Sequence, residues 1–388
     1  MTGRRRRIVI VTPWYPNARN PTAGIFVEEQ ARALSRRHEV AVIAPEYRGW
    51  RSVRELGLTP THEESDTPFP VLRPLVVGLI PRSVLATSLW YSAAVRRALN
   101  HLSRSWGAPE LLHAHVVVPA GCATASAARQ FGLPFVLTEH WSRFPELLRW
   151  PSTRYLVRST LRSASRVIAV SPMLADHVQE ALQTVSVAVI GNVIDTSFYD
   201  QVAVPERSEG RAIRLLSIGL RDARKGVHDL LDAVQLAQRK GTPVQLVVVG
   251  DGPLRAELQH HARALGIAGV CSFDGLRDRD GVRDRLRWCD ALVVPSHCET
   301  FGVTVAEALA SGRPVIATRC GGPEFVMDEA CGRLVPVRDP NTLAEAIVDL
   351  AAGRIEFDPK FARASVRRRF GVEAIVDRLS EVYDEALT

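Results

Sequence analysis

The feature that most constrains this chain is a repeated alternation of short apolar runs with longer helical patterns. Runs such as "RIVIVTP" near the start and "PVQLVVVG" in the second half are apolar at consecutive positions. Continuous apolar strands are typical of parallel sheets that are covered on both faces. Because helical segments separate the strands, the pattern predicts a doubly wound α/β fold.

The alternation occurs twice, which indicates two domains. The chain has 388 residues, more than a single hydrophobic core normally serves. The segment "VAVPERSEGRA" between the two series is polar and contains Pro and Gly. We therefore predict a first domain over 1–201, a linker over 202–212, a second domain over 213–367 and a terminal amphipathic helix over 368–388. Ligands of such folds bind beyond the carboxyl ends of the strands.

Composition narrows the class of protein. A hydrophobic fraction of 46% and a charged fraction of 23% are ordinary for a globular enzyme. No apolar run reaches the ~18 residues that a membrane-spanning helix needs. The N-terminal "IVIV" is too short for a signal peptide, and the six cysteines contain no CxxC pair. These observations predict a cytoplasmic protein with reduced thiols.

Part of the net charge of +7 comes from a cluster of arginines. Arg154, Arg158, Arg162 and Arg166 recur every four residues, so a helix would carry them on one face. That face is either solvated, or it contacts anionic lipid headgroups or an acidic acceptor. Aromatic residues are not interleaved with the arginines, which argues against nucleic-acid binding.

The stretch "PSHCETFGVTVAEALASG" places two carboxylates at the start of a predicted helix. Glu299 lies on the loop, and Glu307 lies about one turn into a helix that begins near Val303. Gly302 allows close approach to the backbone, and the helix amides form a seat for an anion. Carboxylates accept hydrogen bonds from hydroxyls, so the ligand would carry an anionic centre between hydroxyl-bearing groups. A nucleotide sugar fits; alternatively, the helix dipole alone explains Glu307.

A basic loop follows the strand that ends at Gly219. The loop, "LRDARKG", carries Arg221, Arg224 and Lys225. Guanidinium groups bind phosphates as bidentate forks and lysine binds them as a point charge. The loop therefore predicts a diphosphate site, although many basic loops are merely solvated.

Two further segments bear on nucleotide binding. "VVVGDGPLR" resembles a dinucleotide fingerprint, but Arg255 stands where the third glycine is expected, so we do not predict NAD binding. The next strand leaves Gly275, Leu276 and Arg277 at its carboxyl end, where a base could lie.

Metal binding is not predicted. "HAH" at 113–115 ends a strand, and we interpret its two histidines as pointing to opposite faces, which makes a poor chelate. "DRD" at 278–280 matches a DxD motif, but it opens a helix, so we interpret it as a capping sequence on a solvated face.

Several motifs occur in the order found in family 4 glycosyltransferases of the GT-B fold. They are the pair of glutamates with seven residues between them, "RDARKG", "VVGDGP", "GNVIDTSFYD" and "CGGPEFV". The N-terminal "YPNARNPTAGIFVEEQARAL", "HAHVVVPAG" and "LTEHW" also resemble that family. The resemblance covers nearly the whole chain and is strongest to bacterial members that make cell-surface polysaccharides or teichuronic-acid-type polymers.

The resemblance implies roles for individual residues. Glu299 would bind the donor sugar hydroxyls, and Glu307 would bind the ribose. Lys225 would hold the diphosphate with an arginine of the same loop. The usual "GR" is "GLR" here, so Arg221 takes that position and Arg224 competes with it.

It also implies contacts from both domains. The backbone of Phe301, Gly302 and Val303 would contact sugar and phosphate. In the first domain His140 would lie near the reacting carbon, and Gly24 would face the phosphates. The two Rossmann-like domains would face each other across a cleft, and the C-terminal helix would return to the first domain.

The implied reaction is retaining transfer of a hexosyl or N-acetylhexosaminyl group from a nucleoside diphosphate sugar. The acceptor would be a hydroxyl of a glycan, a lipid-linked sugar or a small molecule, and no cofactor or essential metal is expected. Attachment to the inner face of the cell membrane is left open by the basic residues. The alternatives are a nucleotide-sugar epimerase of the same fold and a non-catalytic nucleotide-binding partner of a membrane assembly.

Overall fold

The computed structural model describes residues 4–48, 61–62, 67–77, 84–200, 211–219 and 222–388. Arg221 and positions 202–210 of the predicted linker lie outside the described residues. The chain divides into two compact units: the first comprises Met1–Val193 and Glu373–Thr388, and the second comprises Ile194–Val372.

Short strands alternate with helices along the whole chain, as the sequence predicts. The strands are β1 (Arg7–Val11), β2 (Glu39–Ile43), β3 (Glu46–Arg48), β4 (Thr61–His62), β5 (Val71–Arg73), β6 (Leu75–Val77), β7 (Leu111–His115), β8 (Phe135–Glu139), β9 (Arg166–Ala169), β10 (Val187–Val189), β11 (Ile213–Ile218), β12 (Val244–Val249), β13 (Cys271–Gly275), β14 (Ala291–Val294), β15 (Val315–Thr318) and β16 (Gly332–Val335).

The helices are α1 (Ile25–Ser35), α2 (Val84–Ser105), α3 (Cys122–Phe131), α4 (Phe144–Leu147), α5 (Pro151–Ser163), α6 (Pro172–Ala181), α7 (Thr196–Tyr199), α8 (Val227–Arg239), α9 (Arg255–Ala264), α10 (Arg279–Trp288), α11 (Val303–Ala310), α12 (Gly322–Val326), α13 (Pro340–Ala351), α14 (Pro359–Phe370) and α15 (Val372–Leu387). Several begin at a polar residue whose side chain caps the helix. The Ser171 hydroxyl accepts from the Leu174 amide at the start of α6, for example.

The first unit is built on one large, mostly parallel sheet. Its strand order is β10-β9-β8-β7-β1-β2-β5-β4, and only β4 runs antiparallel to its neighbour. Strand β1 pairs with β2 on one side and with β7 on the other, so that Ile8 lies opposite both Val40 and Leu111. The order of the strands along the chain reverses between β1 and β7, which is where such sheets bind ligands.

The second unit carries a six-stranded parallel sheet in the order β13-β12-β11-β14-β15-β16. Numbered within the unit, this is the order 3-2-1-4-5-6 of the Rossmann fold, and the reversal lies between β11 and β14. Helices α8 and α13 pack on one face, and their apolar residues join the strand residues in a continuous core. The prediction of doubly wound, parallel α/β sheets is confirmed.

The C-terminal helix α15 belongs to the first unit. Tyr383 is fully buried there, and its hydroxyl lies 2.8 Å from Nδ1 of His113 on β7. Asp384 and Glu385 form ion pairs with Arg6 and Arg166 of the same unit. The terminal amphipathic helix therefore packs back onto the first domain, as predicted.

The arginine series does not form a single helical face. Arg154, Arg158 and Arg162 lie exposed on α5. Arg166 lies on β9 and pairs with Glu385 at 3.0 Å. The prediction is therefore wrong for Arg166, because the helix ends at Ser163 and the chain turns into the sheet. Among the described residues no helix has both the length and the apolar character needed to cross a bilayer.

Candidate active site

The reversal point of the second sheet is formed by two glycine-bearing loops. Gly219 follows β11 with φ 120°, and a short 3-10 turn over Ala223–Lys225 leads to Gly226, which starts α8 with φ 64°. A Cβ on Gly226 would lie 1.9 Å from the carbonyl oxygen of Pro295 after β14. Glycine is required here because it lets the β11 loop touch the β14 loop.

The predicted cation and one predicted carboxylate meet at this point. Lys225 Nζ lies 2.6 Å from Oε1 of Glu299, although the residues are 74 positions apart in the chain. The hydroxyl of Ser296 donates to the same oxygen at 2.8 Å. The Lys225 side chain is 32% exposed and that of Glu299 is 16% exposed. The pair is therefore shielded but reachable by a ligand.

A third loop fixes the backbone of Glu299. The amide of Gly322, after β15, donates to the Glu299 carbonyl at 2.7 Å, and the Glu299 amide donates to the Cys320 carbonyl at 3.3 Å. A Cβ on Gly322 would lie 2.5 Å from the carbonyl carbon of Phe301. The glycine of "CGGPEFV" therefore allows the β15 loop to hold the glutamate loop in place.

Helix α11 begins as predicted, at Val303. Gly302 is its N-cap, with φ 84° and ψ 59° in the left-handed region. Phe301 is buried, and its ring lies against the rings of Phe370 and Phe325 at centroid distances of 5.0 and 6.3 Å. The Phe301 side chain is thus part of the core, so only its backbone can take part in ligand binding.

Glu307 has a partner that the sequence did not indicate. Its Oε1 accepts a hydrogen bond from the hydroxyl of Tyr199, on α7, at 2.8 Å. Burial raises the pKa of Glu307 to about 7, while the hydrogen bond from Tyr199 and the charge of Arg279 act in the opposite direction. The carboxyl group can therefore serve as donor or acceptor near neutral pH.

Arg279 connects this carboxyl group with the loop that follows β13. Its guanidinium lies 4.1 Å from the ring centroid of Phe198 and 3.4 Å from Asp195. It is the first residue of α10, whose cap is Asp278, which accepts from the Gly281 amide at 2.8 Å. The interpretation of "DRD" as a capping sequence is confirmed for Asp278.

The three residues proposed for the base lie just before α10. Gly275 ends β13 with φ 73°. Arg277 lies 3.4 Å from Asp274, and Leu276 is 56% exposed. Leu276 therefore offers an exposed apolar surface, whereas Arg277 is held by a neighbouring carboxylate.

Arg224 is directed towards its own loop. Its guanidinium lies 2.8 Å from Asp222, and its amide donates to the same carboxylate at 2.9 Å. The side-chain hydrogen bond from Arg224 holds the pKa of Asp222 below its usual value. Of the two cations of this loop that the structure describes, Lys225 is therefore the one that contacts Glu299.

In the first unit, His140 follows β8 and is buried. Its Nε2 lies 2.8 Å from Nδ1 of His115, and the two rings stack at 5.0 Å. Burial lowers the pKa of His140 to about 3 and that of His115 well below its ordinary value. Both rings are neutral at pH 7, so one donates to the other.

His113 and His115 lie on the same side of β7, and the prediction of opposite faces is wrong. Residues two apart in a strand share a face, and the two ring centroids are 4.5 Å apart. His113 also lies within hydrogen-bond distance of Thr138 and Tyr383, at 2.7 and 2.8 Å. Across the part of the chain that the structure describes, no group of three or more His, Cys, Asp or Glu could hold a metal ion.

Glu139 anchors the loop that carries His140. Its carboxylate accepts hydrogen bonds from the amides of Val117, His140 and Trp141, each at 2.8 Å. Burial raises the pKa of Glu139 to about 7, and these three bonds act in the opposite direction. The motif "LTEHW" therefore holds a buried structural carboxyl group beside the predicted histidine.

Gly24 lies at the same edge of the first sheet. It is the N-cap of α1 with φ 68°, and a Cβ there would lie 2.2 Å from the Trp14 carbonyl oxygen. The ring of Phe26, in the first turn of α1, lies 4.8 Å from that of His140. Gly24 and His140 therefore both lie at the reversal point of the first sheet, where the first turn of α1 packs against His140.

The two reversal points define the chain as an α/β protein with two doubly wound, Rossmann-like units, and family comparison makes the class specific. A family model described as Glycosyltransferase Family 4 matches residues 23–198, and one described as Glycosyl transferases group 1 matches residues 212–352. Together they span most of the chain. The chain belongs to the family 4 glycosyltransferases.

Individual relatives agree with the family. The chain is 29% identical to an uncharacterized glycosyltransferase of Methanocaldococcus jannaschii over 62% of its own length and 65% of that protein. It is 27% identical to the "Putative teichuronic acid biosynthesis glycosyltransferase TuaC" of Bacillus subtilis over 88% of each chain. Its fold is also that of Anabaena HepE in complex with UDP and glucose, with a TM-score of 0.73, 20% identity and coverage of 98% and 100%. The chain is a glycosyltransferase of the GT-B fold.

Proposed function

We propose that this enzyme transfers a sugar, with retention of anomeric configuration, from a nucleoside diphosphate sugar to a hydroxyl acceptor. The second unit would hold the donor. The observation that carries this proposal is the 2.6 Å contact between Lys225 and Glu299 at the reversal point of a Rossmann sheet. It joins a phosphate-binding cation and a hydroxyl-binding carboxylate next to the start of α11.

Lys225 would change partners when the donor binds. A diphosphate is a stronger partner for an ammonium group than a single carboxylate, because it carries more negative charge. Transfer of Lys225 to the phosphates would release the Glu299 carboxylate to accept hydrogen bonds from the sugar hydroxyls. The ligand-free ion pair thus keeps both groups in place for the donor.

The leaving group is a nucleoside diphosphate, on which negative charge develops during the reaction. Lys225 and the amides at the N-terminus of α11 would together stabilise that charge. Gly302 lets the diphosphate approach these amides closely. No cofactor and no essential metal are proposed, since these groups supply the positive potential that the leaving group needs.

The other donor contacts follow from the same surface. Tyr199 holds Oε1 of Glu307, and Oε2 would accept from a ribose hydroxyl. The base would lie on Leu276, beyond β13. In the first unit the buried, neutral His140 would contribute an uncharged hydrogen bond near the reacting carbon. Such a group adds no positive charge that would compete with the cations of the second unit.

The relatives support the donor class and the general acceptor class. HepE, which shares the fold, is described with UDP and glucose bound, and TuaC is described as a teichuronic acid biosynthesis enzyme. We therefore propose a hexosyl or N-acetylhexosaminyl donor and an acceptor that is a cell-surface glycan, a lipid-linked sugar or a small molecule.

The test is a panel of UDP-, GDP- and ADP-sugars incubated with the full chain and simple sugar acceptors. We expect release of nucleoside diphosphate, and a glycoside whose anomeric configuration, read by NMR at early times, matches that of the donor. A product of opposite configuration would overturn retention. Release of a free epimeric sugar would indicate an epimerase, and donor binding without turnover would indicate a non-catalytic partner.

The metal-free mechanism has its own test. We expect EDTA to leave the initial rate largely unchanged, because Lys225 and the α11 amides carry the stabilising charge. A complete loss of activity that Mg²⁺ or Mn²⁺ restores would contradict this part of the proposal.

A further inference from the structure

The first unit contains a cavity of about 190 Å³ at the carboxyl ends of β1, β2 and β5. Its polar and aromatic lining comes from Tyr15, Asn17, Arg19, Glu46, Tyr47 and Arg73. Tyr15, Asn17 and Arg19 lie on the loop between β1 and α1, within the motif "YPNARNPTAGIFVEEQARAL". The donor chemistry proposed above gives no role to any of the six residues.

The inner wall of the cavity is rigid. The Arg73 side chain is only 8% exposed, and its guanidinium donates to the Pro16 carbonyl at 2.5 Å. The same guanidinium lies 3.7 Å from Glu46 and 5.4 Å from the ring centroid of Tyr15. A buried cation that is fixed on several sides gives a site that is formed before any ligand arrives.

The rim of the cavity presents a second cation. Asn17 closes a turn by accepting from the amides of Arg19 and Asn20 at 3.0 and 2.9 Å. Arg19 is exposed on this turn, and within the described residues its guanidinium forms no ion pair. Glu46 is half-buried and places a negative charge at the same cavity.

Aromatic surface completes the cavity. Tyr47 is 46% exposed, and its ring is held against the buried ring of Tyr91 at a centroid distance of 5.9 Å. Tyr15 is buried beside Arg73. Tyrosine rings pack against the apolar C–H face of a pyranose and offer a hydroxyl group at their edge. The cavity thus combines two guanidinium groups, one carboxylate and aromatic faces.

We propose that this cavity binds an acidic sugar residue of the acceptor, a hexuronic acid. Its carboxylate would meet Arg19, a ring hydroxyl would donate to Glu46, and the ring would rest on Tyr47. The inference rests on the proposed function, because it assigns the acceptor for the same reaction. At 190 Å³ the cavity is smaller than the ~300–1,000 Å³ of drug-sized sites, which suits a single monosaccharide.

The balance of charge favours a carboxylate over a phosphate. Arg73 already lies 3.7 Å from Glu46, so Arg19 is the cation that would meet the charge of the ligand. A phosphate monoester would bring a second negative charge beside Glu46, and like charges at close range oppose binding.

The experiment measures binding of methyl β-D-glucuronide and methyl β-D-glucoside to the full chain by ligand-observed NMR titration. The two probes differ only at C6, where one has a carboxylate and the other a hydroxymethyl group. We expect the glucuronide to bind at least tenfold more tightly, and Arg19→Gln to remove that preference. Arg129→Gln, at another exposed arginine of the same unit, should retain it.

Three results would overturn the inference. They are equal affinity for both glycosides, an unchanged preference in Arg19→Gln, and tighter binding of glucose 6-phosphate than of the glucuronide. Tyr47→Leu provides a second variant and should weaken both glycosides.

The assay needs no nucleotide, so its failure is separate from failure of the proposed function. A glucuronide preference without nucleoside diphosphate release would refute the transferase mechanism and keep the binding site. Donor turnover without the preference would refute the binding site alone.

Discussion

The reversal points of the two sheets share a backbone design and differ in their chemistry. In each unit a left-handed glycine, Gly24 or Gly226, starts the helix that follows the first strand. In the first unit the polar groups beyond it are buried, neutral histidines held by hydrogen bonds. In the second unit they are an ion pair that solvent can reach, Lys225 with Glu299.

The difference shows how charge is divided between the units. A buried neutral ring can position a ligand without titrating near pH 7, but it cannot neutralise a diphosphate. A partly exposed ammonium group can, because the protein does not need to bury an isolated charge. The comparison therefore supports the proposal that the second unit binds the charged part of the donor.

The largest expected effect comes from Glu299→Ala. The variant should lose about 10²–10³-fold in kcat, the scale of removing one stabilising group from an active site. Binding of the nucleoside diphosphate should survive, because Lys225 keeps its phosphate-binding role. Steady-state kinetics and calorimetric titration with the diphosphate measure the two quantities.

A matched control is available for this prediction. Glu345 pairs with Lys240 on the surface of the same unit at 3.5 Å, and Glu345→Ala should change neither quantity. If Glu299→Ala abolished nucleotide binding while the fold stayed intact, the division of roles between Glu299 and Lys225 would be wrong.

Gly226→Ala tests the backbone half of the comparison. The new Cβ would collide with the Pro295 carbonyl oxygen and would force alanine into a left-handed conformation. We expect the free energy of unfolding to fall by about 3 kcal/mol, the upper part of the range for such strain. Denaturant titration measures the loss.

Gly241→Ala distinguishes the energetic cost of the steric collision from that of the left-handed backbone conformation. Gly241 has φ 82°, and a Cβ added there would meet no atom within 4 Å beyond its chain neighbours, so only the left-handed conformation costs about 1 kcal/mol. Equal losses in both variants would mean that contact between the β11 and β14 loops adds no constraint.

Lys225→Ala tests the part of the comparison that concerns charge, the ion pair in the second unit. The variant should weaken the nucleoside diphosphate by about 30-fold, or ~2 kcal/mol, the scale of a hydrogen bond to a charged group. The corresponding nucleoside should bind nearly unchanged, since it carries no phosphate. Lys240→Ala serves as the control, and an equal loss of nucleoside and diphosphate would remove the phosphate role.

The last prediction concerns the pH dependence of stability in the first unit. Burial lowers the pKa of His113 and His140 to about 3, so between pH 6.5 and 3 the unfolded chain binds protons that the folded chain does not. Stability should therefore be highest above pH 6.5 and fall on acidification, by about 1–2 kcal/mol per histidine between pH 7 and 5.

Glu139 acts in the opposite direction, because its pKa is raised to about 7, so the folded chain holds a proton that the unfolded chain has lost. Glu307 acts in the same direction as Glu139, because its pKa is also raised to about 7. Burial lowers the pKa of His38 to about 4 and that of His115 well below its ordinary value, so four histidines outweigh two carboxyl groups and the net slope keeps the sign given above. His140→Asn should show a shallower loss in denaturation curves at pH 7, 6 and 5. An unchanged slope would mean that the histidine is not kept neutral by the fold.

Local patterns were sufficient for the elements and for several site residues. The apolar runs located the strands, and Gly302 and Val303 begin α11 as the sequence predicts, because helix starts and strand burial are encoded over a few neighbouring residues. Glu299 and Lys225 were identified by their positions after two strands. The carboxyl ends of strands on either side of a reversal point necessarily lie close together.

The hydrogen-bond partners of the site carboxylates were not predictable in this way. Ser296 and Tyr199 bind the two glutamates, but neither type nor spacing distinguishes them from other hydroxyl residues. Glu139 was also missed, since only the fold aligns three amides on its carboxylate. The error over His113 and His115 was avoidable from the sequence. Side chains alternate between the two faces of a strand, so residues two positions apart lie on the same face.

Hydrophobic periodicity and backbone freedom are local properties, so the order of residues was enough to predict two series of parallel strands and the glycine that opens α11. The strand orders, and with them the reversal points, were decided by the fold. Three further features emerged from the folded chain: Lys225 rather than Arg224 meets Glu299, His140 is neutral, and Arg19, Glu46 and Arg73 line one cavity. Protonation and pairing depend on which groups share a volume, and that volume is assembled from segments that lie far apart in the chain.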